Sequence, residues 1–167
     1  MKKLLGFLML FVFAAVMSYA AESTSDQGQA KAKIVSAATI AHQTGALDFG
    51  TIFKNTTGGT VTVQNAAAPA PAYSDVTAAG SAATSSDHFV LNNLDTGTIY
   101  SLAFTTSPIT IAKEGDDTKI MSVALTLSDD LVTGVTTKDV YVGGTLTVNG
   151  NQDEGQYTGN YTVNLTY

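Results

Sequence analysis

The chain closes on a strict two-residue alternation: Tyr161, Val163, Leu165 and Tyr167 are apolar, and Thr162, Asn164 and Thr166 between them are polar. Successive strand side chains point to opposite faces, so a period of two predicts a half-buried β-strand. The same period runs through Met121, Val123, Leu125 and Leu127, with Ser122, Ala124, Thr126 and Ser128 on the other phase. It returns in Val140, Val142, Leu146 and Val148, which stay in phase across Gly143-Gly144. One long strand is therefore predicted there, with the glycines marking a bend or a close approach of another backbone.

Comparable short runs, separated by Gly, Asn, Asp and Pro, recur along the chain. The candidate strands are 30–40, 46–53, 59–64, 88–94, 98–105, 109–113, 119–128, 138–149 and 156–167. Nine such runs with turn signals between them predict an all-β sandwich or barrel. Leu102 and Phe104 are expected to share its core with Ile109 and Ile111. Hairpin loops are expected at 113–117 and at 149–155. Residues 65–86 are rich in Ala, Pro and Ser. They read as a surface loop with a short strand inside it, and Tyr73 is its candidate ligand contact.

Residues 1–20 have the build of a signal peptide: Lys2 and Lys3, an apolar run from Leu4 to Val16, then Ser18-Tyr19-Ala20. The run is too short for an ordinary membrane span. Cleavage after Ala20 would leave 21–29 as a flexible N-terminal segment and 30–167 as a single β-sandwich domain. The expected location is secreted: periplasm, cell surface or extracellular space, with no transmembrane segment after cleavage.

Without Lys2 and Lys3 the eight basic residues fall to six against fourteen acids, a net charge of −8, and arginine is absent. Phosphate recognition depends on clustered Lys and Arg, so nucleic-acid binding is excluded. With no cysteine, thiol chemistry and cysteine metal sites are excluded as well.

Nothing in the sequence announces catalysis. His42 and His88 lack metal-ligand spacing and read as ordinary surface histidines. Asp87 and His88 are strand neighbours facing opposite ways, which gives no reason to pair them. Asp116-Asp117 and Asp129-Asp130 are adjacent pairs in turns rather than carboxylates converging across a cleft. Asn149, Asn151 and Asp153 match the first, third and fifth ligands of a calcium loop, but the glycine falls at the seventh place and Asn160 stands at the twelfth. A plain loop explains them as well, and no cofactor is expected. No nucleophile motif or phosphate loop occurs, so the chain is not expected to be an enzyme.

Three motifs, in order, carry a resemblance: Leu47-Asp-Phe-Gly-Thr-Ile52, Val140-Tyr-Val-Gly-Gly-Thr-Leu-Thr-Val148, and Gly155-x-Tyr-Thr-Gly-x-Tyr-x-Val-x-Leu-x-Tyr167. Together they resemble the secreted bacterial domain-of-unknown-function 4402 family. More distantly the layout is similar to chaperone–usher pilus subunits and spore-coat-U-type domains. The pilus resemblance implies an all-β, immunoglobulin-like (pilin-like) antiparallel β-sandwich of about eight or nine strands, incomplete in itself, whose missing strand is supplied by a periplasmic chaperone and then by the next subunit's N-terminal extension. Here that extension would present Ala30, Ala32 and Ile34, and the C-terminal strand Tyr161, Val163, Leu165 and Tyr167. An alanine anchor buries less than a large aliphatic one, forfeiting about 1–2 kcal/mol at each position. Residues 30–40 are accordingly expected to be the domain's own first strand, with the donor role as the alternative.

The functional expectation is a secreted structural or adhesive bacterial surface protein, a pilin-like (fimbrial) subunit assembling by β-strand addition. Its partners would be other copies of itself or a periplasmic chaperone and usher. The alternative is a self-contained, monomeric binding module that uses the 65–86 loop.

Overall fold

The computed structural model describes residues 23–80 and 83–167; the expected signal peptide at 1–20 lies outside them. The chain divides into a unit up to Lys33 and a second unit from Ile34 to Tyr167. In the first, residues 23–33 are exposed and carry no strand. The second unit is all-β.

Its strands are β1 (Thr39–His42), β2 (Gly58–Val63), β3 (Pro71–Ser74), β4 (Asp87–Asn92), β5 (Tyr100–Phe104), β6 (Ile109–Lys113), β7 (Asp116–Leu127), β8 (Leu131–Val132), β9 (Lys138–Asn149), β10 (Tyr157–Thr158) and β11 (Val163–Thr166). The larger sheet runs β1-β4-β9-β7-β6-β10, with β2 also on β9 and β3 on β2; the smaller one runs β11-β5-β8. Every pairing is antiparallel. The molecule is the β-sandwich that the alternating runs predict.

Its core is made by the inward phase of those runs. Val123, Val140, Val142, Leu146, Val61, Val63 and Leu91 are buried, as are Tyr100, Leu102 and Val163 from the smaller sheet. β9 is the hub: its first half pairs with β4, its second half with β2, and its other edge with β7. The change of partner falls at Gly143-Gly144. A methyl group on Gly143 would stand 2.4 Å from the Val63 carbonyl oxygen, and one on Gly144 2.7 Å from that of Ala124. The close backbone approach predicted for this pair is thus where two strands share one edge of β9. Asn65, just past β2, seals the junction by donating its side-chain amide to the Leu127 carbonyl.

Four expectations differ from the structure. Residues 30–38 form no strand, and the first one begins at Thr39. Ala30 and Ala32 bury too little apolar area to offset the entropy of ordering them. Residues 46–53 make only the isolated bridges Asp48↔Ser85 and Ile52↔Ala78. There Asp48 accepts the Gly50 N–H at 2.8 Å, and the turn at Gly50 interrupts a ladder.

The segment 149–155 is not a hairpin loop, because β9 and β10 are separated by β7 and β6. The 156–167 run is two short strands, since the chain leaves β6 after Thr158 and joins β5 at Val163. Tyr161 lies in that crossing, and Tyr167 is exposed, its ring 5.4 Å from that of Tyr100. In two further places the reading matches the strands: Glu114-Gly115 turns the β6–β7 hairpin, and the 65–86 segment contains β3.

Candidate functional site

β4 carries Asp87, Phe89 and Leu91 on its inward phase, so a carboxylate is aimed into the sandwich. Asp87 is the one buried charged side chain among the described residues, 5% exposed. Burying a carboxylate is costly unless hydrogen bonds replace its water. Three donors do so. Oδ1 accepts from His42 Nε2 at 2.7 Å and from the His88 backbone N–H at 2.8 Å, and Oδ2 accepts from the Tyr161 hydroxyl at 2.5 Å. His42 ends β1 opposite Phe89 in the register, and Tyr161 comes from the crossing before β11. The cluster therefore ties the edge strand β1 and the C-terminal segment to a single side chain of β4.

Aromatic contacts enclose it. The His42 ring lies 4.9 Å from Phe89, while Tyr161 sits edge-on to Phe89 and to Phe104 at 6.5 and 6.0 Å. Burial, followed by the hydrogen bond to Asp87 and that residue's charge, holds the Tyr161 hydroxyl well above the usual tyrosine range of ionisation. It is therefore a poor nucleophile. Among the described residues no three His, Cys, Asp or Glu side chains converge on a metal position. What the cluster can do is fasten strands.

The sequence-predicted residues fall elsewhere. His88 turns outward, stacks on Tyr141 at 4.7 Å and meets Asp139 at 2.7 Å. Asp116 accepts from the Thr118 hydroxyl and N–H, which holds its carboxyl below the usual range. Asp129 pairs with Lys138 at 2.9 Å. In the calcium-like loop, Asp153 faces Lys119 at 3.3 Å and the Asn149 amide donates to Gln152 at 3.0 Å. A cation there would have to displace an ammonium group.

Tyr73, on β3, is half-buried against the core opposite Val61 of β2. Ala30 and Ala32 are exposed, and Ile34 is 95% exposed. Val163 is buried in β11 and Leu165 half-buried beside it.

Sequence reasoning missed the cluster because its members stand 45 and 74 residues from Asp87. One signal was present: in Asp87-His-Phe-Val-Leu91 the aspartate occupies the apolar phase. A carboxylate on a core phase requires buried donors, and a histidine and a tyrosine on other inward phases are natural ones.

Among comparisons with known proteins, a family model described as "Domain of unknown function (DUF4402)" matches residues 38–167. No curated protein and no solved structure matches the chain.

Proposed function

The chain belongs to the family of the domain of unknown function DUF4402, and we propose that it is an exported structural or adhesive surface protein whose copies join by β-strand addition. In this reading it is a building part, not a catalyst. The observation that carries it is the state of residues 30–38: they form no strand, their alternation ends on an almost fully exposed Ile34, and an all-β domain begins directly after them. An isoleucine left in water beside an extendable backbone can recover its burial by completing another sheet. Among the described residues no helix is long and apolar enough to cross a membrane.

Light scattering on the chain beginning at Ala21 tests the proposal. End-to-end multimers are expected, and deletion of 21–35 should leave a folded monomer. A stable, concentration-independent monomer from the longer chain would refute it.

A further inference from the structure

We propose that the chain binds a neutral saccharide in a cleft at the end of the sandwich where β1 and β9 begin and β4 ends. The register brings three segments together there, since Asn92 of β4 lies opposite Thr39 and Leu91 opposite Lys138. The residues before β1, after β4 and before β9 therefore share one end, where the loops of a sandwich cluster and can take up ligands. Leu94 joins two of these segments, its N–H donating to the Thr136 carbonyl at 3.0 Å. Between the three lies an open cleft of about 400 Å³. That is small for a ligand site and suits a mono- or disaccharide.

The lining is polar and largely unengaged. Asn92, Asn93, Ser36, Thr136 and Thr137 line the cleft, and among the described residues none of these side chains hydrogen-bonds to the protein. Asn55, Asn65, Asn149 and Asn164 instead all give their amides to protein partners. The one carboxylate in the lining is Asp95, held by the Gly97 N–H at 3.2 Å and the Thr98 hydroxyl at 3.3 Å.

This chemistry selects the ligand class. Amides and hydroxyls each donate and accept, as the neighbouring hydroxyls of a sugar do, and a carboxylate can accept from two of them at once. A metal ion would find a single carboxylate, and an anion would meet Asp95 with no lysine in the lining to offset it. Val35, in the same lining and 51% exposed, offers apolar surface to the carbon-bound hydrogens of a sugar ring. The site goes beyond strand addition and does not depend on it. Asn92, Asn93, Asp95, Thr136 and Thr137 belong to the folded domain whichever sheet residues 30–38 join.

Ligand-observed NMR titrations on the chain beginning at Ala21 test this, with glucose, galactose, mannose, N-acetylglucosamine and glucuronate as probes. Saturable binding of at least one neutral sugar is expected, tighter than that of glucuronate. Asn93 has a φ of 58°, which glycine adopts freely, so Asn93→Gly removes the amide and keeps the turn. It and Thr137→Ala, at an exposed position, should each weaken binding about tenfold. Asn164→Ala, exposed on β11, should leave it unchanged. A chain that binds sugar yet stays monomeric would support the site and refute strand addition alone. No saturable binding of any neutral sugar, binding that survives both cleft variants, or glucuronate bound as tightly as the neutral sugars would overturn the proposal.

Discussion

Tyr161 donates its hydroxyl hydrogen to Oδ2 of Asp87 across 74 residues of chain, at 2.5 Å. That bond anchors the last strand of the smaller sheet to the larger one. Tyr161→Phe keeps the ring contacts with Phe89 and Phe104 and removes one of three donors to a buried carboxylate. A loss of about 1–3 kcal/mol is expected, read as a lower urea midpoint with an unchanged slope. Asp87→Ala should cost more, because it takes the acceptor from all three donors at once, the Tyr161 hydroxyl, the His42 ring and the His88 N–H.

The same hydroxyl predicts an alkaline transition. Its ionisation is raised above the ordinary tyrosine value near 10. A group raised on folding lends stability that is complete below its unfolded value and is lost as pH climbs towards the folded one. Phenolate absorbance should therefore show one tyrosine ionising only as the protein unfolds above about pH 10, and this late step should vanish in Tyr161→Phe.

Gly143→Ala should destabilise strongly, because the new methyl meets backbone of β2 at 2.4 Å rather than a side chain that can turn away. A substitution of the same kind at Gly134, with open space around it, meets no atom, and its cost comes only from the positive φ. Thermal melts of the two variants compare collision with backbone preference.

Leu91→Ala empties a fully buried position between β1 and β9. A loss of about 2–5 kcal/mol is expected, measurable by denaturant titration.

Millimolar calcium should leave the melting temperature unchanged. The Asp153 carboxylate is already engaged by Lys119, and the neighbouring Glu154 faces Lys54. Lys119→Ala in calcium-containing and calcium-free buffer checks whether the ammonium group is what excludes the ion.

Much of the fold was legible because period-two patterning is a local property. Ile109–Lys113 and Lys138–Asn149 form strands over the residues their alternation marked. The failures came where non-local contacts decide. Gln156–Tyr167 has an unbroken pattern, yet the chain changes sheets inside it, and only the positions of β6 and β5 dictate that. The alternation of Ala30, Ala32 and Ile34 is real but too light to hold a strand unaided. At the site, His42 gave no local sign of its partner, since a histidine closing a strand looks the same whether it faces solvent or a carboxylate from another strand.

The position of β9 in the chain has a kinetic meaning. β2, β4 and β7 all pair with it, yet it is complete only at Asn149. Until those residues are available, β2 and β4 have no central neighbour, and the loops to be closed span some tens of residues, which makes folding slow. A chain still being made is held open by its own connectivity. The sandwich thus cannot close around its centre until most of the chain is present.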